Sequence, residues 1–154
     1  MSLTGKITRE FDIVSNAEKF FHIIAKQLHN VQNITDHVHH GKVHEGDWHT
    51  LGSVRHWTYV LDGEVTEAKE KFEEVDEEKK RIVVKIFDGD VGKKYKLLKI
   101  TLELNDDKNN DGDGAVIKWS VDYEKINKDI AVPYGYLGYL TKITEDIDAH
   151  ILKP

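Results

Sequence analysis

The side chains best suited to binding or chemistry lie in the run Val54–Val60, where Arg55, Trp57 and Tyr59 alternate with other residues. Alternate residues of a β-strand point to opposite sides of a sheet, so these three side chains share one face. A guanidinium and two large rings with polar tips suit the wall of a ligand site better than a tight core. In a water-poor pocket, Arg55 and Tyr59 could orient a ligand or transfer a proton.

Histidines form a second group, with five of the nine between residues 37 and 49. Alternate strand positions can converge on a metal, but the chain has no cysteine and no HExxH helix to complete a ligand set. The segment Asp107–Gly112 matches half of a calcium loop, but Lys118 stands where a bidentate carboxylate is needed. We therefore expect no metal site. A polar strand edge is the favoured interpretation, and His40 is the histidine that could face a cavity.

Further polar residues could project into the same apolar space, namely Tyr134, Thr141 and either Glu67 or Glu70. The catalytic candidates are therefore His40, Arg55, Tyr59 and Tyr134, although the same groups could serve only as satisfied structural polarity. The glycine-bearing loop between residues 46 and 52 lacks the Gly-Lys-Ser/Thr ending of a phosphate-binding loop. It is interpreted as a connection between two strands.

Length and composition set the remaining bounds. The chain has 154 residues, 39% hydrophobic and 32% charged, which predicts one globular domain over residues 1–154. A net charge of −6 argues against nucleic acid as a partner, because binding phosphates requires a basic surface. No apolar run is long enough to cross a bilayer, so we expect no membrane partner and a cytoplasmic location.

The chain reads as strands and helices in a simple order. A first strand, Leu3–Val14, is followed by a capping box in which Ser15 caps a helix and Glu18 reaches back. That helix breaks near His29, and a short second helix or an irregular stretch reaches Ile34. Six further strands then follow in close succession, at His37–Glu45, Ser53–Leu61, Glu64–Val75, Arg81–Asp88, Tyr95–Leu104 and Ala115–Lys125.

The short connections between these strands predict hairpins and an antiparallel sheet. A long helix follows over Asp129–Leu152, with Pro133 in its first turn. One helix cannot easily fill the space against a curved sheet of seven strands, so we expect an internal cavity. Apolar side chains alternate along three strands and would line it, namely Ile82, Val84, Ile86, Leu98, Ile100, Leu102, Leu104, Ile117, Trp119, Val121 and Tyr123.

Several motifs together resemble one plant family. These are HEGDWHTLGSV, RHWTYVLDG, VDEEKKRI and WSVDYEKIN before a proline-containing helix. They are similar to the major latex proteins, of the birch-pollen-allergen and class-ten pathogenesis-related superfamily, over the whole chain. The resemblance implies an α+β helix-grip fold, with a seven-stranded curved antiparallel sheet around a long C-terminal helix, two short helices and a large internal cavity.

The resemblance also implies binding of a hydrophobic plant small molecule of the lipid, steroid, terpenoid or alkaloid type, with no cofactor. The candidate ligand-binding residues are Phe20, Val38, His40, Arg55, Trp57, Tyr59, Ile82, Val84, Ile86, Leu98, Ile100, Leu102, Ile117, Trp119, Tyr134, Leu137 and Thr141.

Two other functions remain open. The first is a cofactor-independent isomerase or cyclase of specialised metabolism that uses the same cavity. Related norcoclaurine synthase relies on a cavity lysine, whereas the corresponding strand here presents Arg55, whose guanidinium stays protonated. The second is a stress or signalling scaffold, which no charged surface patch in the sequence supports. The oligomeric state is also open between a monomer and a weak dimer.

Overall fold

The computed structural model describes residues 3–106 and 114–153. Strand β1 (Thr4–Ile13) is followed by helix α1 (Ala17–Lys26) and a 3₁₀ helix (Leu28–Asn33). The remaining elements are β2 (Val38–Glu45), β3 (Val54–Leu61), β4 (Glu64–Asp76), β5 (Arg81–Phe87), α2 (Gly89–Gly92), β6 (Tyr95–Asp106), β7 (Ala115–Lys125) and α3 (Tyr134–Leu152).

The seven strands form one antiparallel sheet in the order β1-β7-β6-β5-β4-β3-β2. Strands β2 to β7 follow one another as neighbours, while β1 pairs with β7 at the far edge, so α1 and the 3₁₀ helix carry the chain across. The predicted strands are confirmed, and none of their ends moves by more than two residues. The α+β helix-grip architecture expected from the sequence is likewise confirmed.

The core lies between the sheet and α3. Alternate residues of the central strands are buried, as period-two alternation predicts, and Ile82, Ile100 and Val121 are each no more than 3% exposed. Helix α3 buries a stripe at helical spacing, which consists of Tyr136, Leu137, Leu140, Ile143, Thr144 and Ile147. The helix therefore lies along the sheet with one face turned toward it.

The start of α1 differs from the prediction. Asn16, and not Ser15, caps the helix by accepting a hydrogen bond from the Lys19 amide at 3.2 Å. Asp148 of α3 accepts hydrogen bonds from the Val14 and Ser15 amides at 3.0 and 2.8 Å. This tertiary contact holds the Ser15 backbone outside the helix, so α1 begins one residue later than the capping-box pattern indicates.

The start of α3 also differs. The helix begins at Tyr134 and not at Asp129, with Pro133 as its N-cap residue. A proline disfavours helical geometry in the residue before it, so Val132 cannot continue a helix into Pro133. In addition, the predicted turn after β5 contains the four-residue helix α2.

Candidate functional site

A cavity of about 90 Å³ lies between α3 and the concave face of the sheet. A buried water needs roughly 10–15 Å³, so the space could hold several waters or a small ligand. It is smaller than the roughly 300–1,000 Å³ of typical ligand pockets. The expectation of a large cavity is therefore corrected: a space between helix and sheet exists, but the surrounding side chains fill much of that volume.

Nine of the predicted ligand-binding residues line this cavity. They are Val38, Trp57, Tyr59, Ile82, Val84, Ile86, Ile100, Leu102 and Trp119. Four others, Phe20, Leu98, Ile117 and Leu137, are buried in the core outside the cavity wall. Each of these four side chains is no more than 7% exposed. Thr141 is half-buried and accepts a hydrogen bond from Arg9 Nη1 at 2.8 Å.

His40 and Tyr134 do not face the cavity, and these two predictions are wrong. An irregularity in the pairing of β2 with β3 falls between Val38 and His40, so the inward–outward alternation breaks there and His40 is exposed. Tyr134 is 65% exposed at the first residue of α3. It lies two residues from the buried Tyr136, about 200° around the helix, and therefore points to the opposite side.

The inward face of β3 is confirmed, since Arg55, Trp57 and Tyr59 are 0%, 7% and 4% exposed. Arg55 does not line the cavity, however. Its Nε and Nη2 groups donate to Glu70 Oε1 at 3.2 and 2.8 Å, and Nη1 donates to the Trp48 carbonyl at 3.1 Å. The guanidinium also lies over the Phe72 ring, 4.2 Å from its centroid. The charge of Arg55 is therefore compensated within the protein.

Glu70 is the member of this ion pair that borders the cavity. It is the cross-strand partner of Arg55 in β4 and one of the residues that line the cavity. Trp57 Nε1 also donates to Glu70 Oε1, at 3.1 Å. Lys69 contributes to the wall too, but its ammonium pairs with Asp88 Oδ2 at 3.3 Å. Glu70 is thus an anionic group against an otherwise apolar space.

Three tyrosines of the cavity wall lie where α3 faces β3. The hydroxyls of Tyr59 and Tyr136 hydrogen-bond to each other, and the Tyr139 ring lies 5.2 Å from that of Tyr59. Burial raises the pKa of each of the three, and the negative charge of Glu70 adds to the effect. All three are therefore neutral hydroxyls near pH 7. Within the described ranges, the Tyr139 hydroxyl has no hydrogen-bond partner.

Sequence reasoning missed Tyr136 and Tyr139, and it missed the pairing of Glu70 with Arg55. The signal for Tyr136 was available, because residues 136, 140, 143 and 147 follow helical spacing. Glu70 was one of two strand carboxylates expected to reach the apolar space, the other being Glu67, and the cavity wall includes Glu70. Nothing local shows that Glu70 faces Arg55.

The loop between β2 and β3 is held together by hydrogen bonds to the carboxylate of its own Asp47. Asp47 accepts hydrogen bonds from the His49 and Thr50 amides at 2.9 and 2.7 Å and from the Thr50 hydroxyl at 2.6 Å. These bonds lower the pKa of Asp47, with the Thr50 hydroxyl contributing most. Because the loop amides already bind an internal anion, they are not free to cradle a phosphate.

His49 attaches this loop to the helical segment. Its Nε2 accepts a hydrogen bond from the Leu28 amide at 3.1 Å, and burial lowers its pKa. Trp48 packs edge-on against Trp57, with ring centroids 5.7 Å apart. The loop therefore covers the end of the site where Arg55 lies.

An outer cleft of about 500 Å³ lies at the N-terminal end of α3, bordered by the β3–β4 connection, α2 and the start of β6. Tyr136 belongs to the walls of both the cleft and the cavity. In the part of the chain that the structure describes, no group of His, Asp and Glu side chains is arranged to hold a metal ion. Among the same residues, no helix is long and apolar enough to span a membrane.

Residues 2–154 match the pathogenesis-related protein Bet v 1 family. The chain is 38% identical over 152 residues to MLP-like protein 43 of Arabidopsis thaliana, which covers 98% of this chain and 95% of that protein. It is 39% identical over 150 residues to MLP-like protein 34 of the same plant, which covers 97% of this chain. It spans only 47% of that relative's length, about half.

Solved structures agree with this assignment. The crystal structure of ginseng major latex-like protein 151 from Panax ginseng is 33% identical, with a TM-score of 0.90 over 99% of this chain and 100% of that one. Norcoclaurine synthase from Thalictrum flavum, in complex with dopamine and hydroxybenzaldehyde, is 20% identical with a TM-score of 0.75, over 97% of this chain and 87% of that one, and shares the fold. The chain therefore belongs to the pathogenesis-related protein Bet v 1 family and, within it, to the major latex protein-like group.

Proposed function

We propose that this protein binds a hydrophobic small molecule in the cavity between α3 and the sheet. The observation that carries the proposal is the space between helix and sheet, whose wall is mostly aliphatic and aromatic. Each 100 Å² of apolar ligand surface removed from water contributes roughly 2.5 kcal/mol. Few polar groups reach the wall, as is usual in sites where burial supplies affinity and a small number of hydrogen bonds fixes orientation.

The size of the cavity restricts the first ligands to test. At about 90 Å³ the space suits a small ring system, and a larger molecule would have to displace wall side chains. A compact bicyclic hydrocarbon such as 1-methylnaphthalene is the first probe, because it exceeds this volume only moderately and requires a limited displacement of wall side chains. Trp57 and Trp119 both lie in the wall, so a bound probe should change the tryptophan fluorescence.

The test compares two alanine positions. Ala68 is 2% exposed and lines the cavity, so Ala68→Leu fills part of the space and should weaken 1-methylnaphthalene binding roughly tenfold or more. Ala149 is exposed on α3, and Ala149→Leu is the matched control that should bind like the parent. Thermal unfolding checks that both variants fold. Equal affinities in all three proteins would place the probe outside the cavity and contradict the proposal.

A second candidate function is an isomerase or cyclase that uses the same cavity. The observation that favours it is the neutral hydroxyl of Tyr139, which lies in the wall without an internal partner among the described residues. Such a donor would stabilise negative charge developing on a substrate carbonyl oxygen where water is excluded. Incubation with reactive enol or imine intermediates distinguishes the two functions, because a carrier protects one equivalent whereas a catalyst changes the product ratio over many turnovers.

A further inference from the structure

The two carboxylate oxygens of Glu70 have different surroundings. Oε1 accepts three hydrogen bonds, from Arg55 Nε at 3.2 Å, Arg55 Nη2 at 2.8 Å and Trp57 Nε1 at 3.1 Å. No donor from residues 3–106 or 114–153 reaches Oε2. Oε2 is not sealed in the interior, because the Glu70 side chain retains 18% of its accessible surface. One oxygen is therefore hydrogen-bonded within the protein, and the other is free to accept a hydrogen bond from a ligand.

The open oxygen belongs to a residue of the cavity wall. Among the described residues, no other polar side chain of the wall donates to it: the Tyr59 and Tyr136 hydroxyls bond to each other, Trp119 Nε1 donates to Thr144 Oγ1 at 2.9 Å, and no hydrogen bond joins the Tyr139 hydroxyl to Glu70. An acceptor against an apolar space gains most from a ligand group that donates, and a hydrogen bond to a carboxylate is stronger than one between neutral groups.

The same geometry disfavours an anionic ligand. The Arg55 guanidinium is 0% exposed and does not line the cavity, and its Nε, Nη1 and Nη2 groups all donate to protein oxygens. A ligand carboxylate would instead meet Glu70 Oε2, which is an acceptor without a proton, so the two carboxylates could not hydrogen-bond and would repel each other. The sequence-based hypothesis that Arg55 pairs with a ligand carboxylate or phosphate therefore has no support in this arrangement.

We propose that Glu70 is the specificity-determining residue of the cavity and that its Oε2 atom binds a hydrogen-bond donor, an ammonium or hydroxyl group, on an otherwise apolar ligand. This inference rests on the proposed function, because it assumes that the cavity takes a small molecule. It adds that the polar group of the ligand binds at Glu70, and that this group donates a hydrogen bond and is not an anion.

The experiment uses four naphthalene probes that share one skeleton: 1-methylnaphthalene, 1-naphthylmethanol, 1-naphthylmethylamine and 1-naphthoic acid. Isothermal titration calorimetry at pH 7 gives the four dissociation constants. The protonated amine and the alcohol should bind roughly tenfold or more tightly than the acid. If the acid binds as tightly as the amine while methylnaphthalene also binds, this inference fails and the proposed function survives. If none of the four probes binds, the proposed function itself fails.

Glu70→Gln should reverse the ligand preference and not merely weaken binding. Arg55 and Trp57 direct three donors at one position, so the amide oxygen of the introduced glutamine must occupy it and the amide NH₂ group takes the place of Oε2. An open acceptor then becomes an open donor. The preference should invert, so that the acid gains affinity and the amine loses it, each by roughly tenfold, while methylnaphthalene is unchanged.

The matched control is Glu73→Gln. Glu73 lies on the same strand but pairs with Lys99 at 2.7 Å and does not line the cavity, so all four affinities should equal those of the parent. Retention of the amine preference in Glu70→Gln would overturn the inference. If Glu70→Gln does not fold, as circular dichroism would show, the ranking of the four probes on the unmodified protein decides the inference alone.

Discussion

The hydroxyl of Tyr59 on β3 and the hydroxyl of Tyr136 on α3 hydrogen-bond to each other between residues 77 positions apart in the sequence. Both side chains are at most 4% exposed, and both belong to the cavity wall. The bond therefore joins the terminal helix to the sheet at the place where a ligand would lie. It also satisfies two hydroxyls that would otherwise be stranded in apolar surroundings.

Replacing one partner of this bond should lower the free energy of unfolding by more than replacing both. Tyr136→Phe leaves the Tyr59 hydroxyl unpaired, so the free energy of unfolding should fall by roughly 1–3 kcal/mol. The double variant Tyr59→Phe/Tyr136→Phe removes both polar groups and should recover part of that loss. Urea denaturation of the parent, the two single variants and the double variant measures the coupling. Tyr134→Phe, at a 65% exposed position, is the control and should not change stability. Strictly additive losses would contradict the coupling.

The ion pair of Arg55 and Glu70 should behave asymmetrically. Glu70→Leu leaves the guanidinium of Arg55, which is 0% exposed, without its carboxylate, and an unpaired buried charge costs roughly 3–5 kcal/mol. Arg55→Leu leaves a carboxylate that is 18% exposed and can still be hydrated, so its cost should be smaller. The double Leu variant should be more stable than Glu70→Leu. Chemical denaturation gives all three values, and a double variant less stable than either single one would refute this account.

Acidification should weaken the attachment of the β2–β3 loop. Burial holds the folded-state pKa of His49 below its ordinary value of 6.5, so the unfolded chain binds the proton more readily. Stability should therefore fall as the pH drops through 6.5 toward the lowered pKa, and protonated Nε2 can no longer accept from the Leu28 amide. His49→Gln should lose less stability than the parent between about pH 7 and pH 5.5, as thermal unfolding would show.

The control for this measurement is His39→Gln, at an exposed position of β2. Its pH dependence should follow that of the parent. If His49→Gln and the parent have parallel curves, the contact with Leu28 is not the source of the effect.

Two glycines should respond to alanine in opposite directions. Gly41 pairs with Trp57 across β2 and β3, and a Cβ atom there would overlap the Trp57 ring. Gly41→Ala must displace that ring, which should lower the free energy of unfolding by about 1–3 kcal/mol. Gly138 is exposed on α3 and no neighbouring side chain lies where a methyl group would go, so Gly138→Ala should raise stability by up to ~1 kcal/mol through helix propensity. Thermal denaturation measures both, and a neutral Gly41→Ala would show that Trp57 can move freely.

Much of the fold could be predicted because its signals are local. Alternation along β3 placed Arg55, Trp57 and Tyr59 on one inward face, and short turn-like connections indicated the antiparallel order. The errors arose where a distant residue intervened. Asp148 shifts the start of α1, and an irregular pairing turns His40 outward, although neither effect is visible in the neighbouring residues.

The sequence by itself determined which side chains lie on which face of each strand, because the two-residue period is a property of the extended backbone. Only the tertiary structure decided what those side chains meet. Arg55 faces inward as predicted, but register places Glu70 opposite it, 15 residues along the chain, and this pairing compensates its charge. It also leaves Glu70 Oε2 without a donor among the described residues. Such partners depend on strand register and helix packing and not on local periodicity.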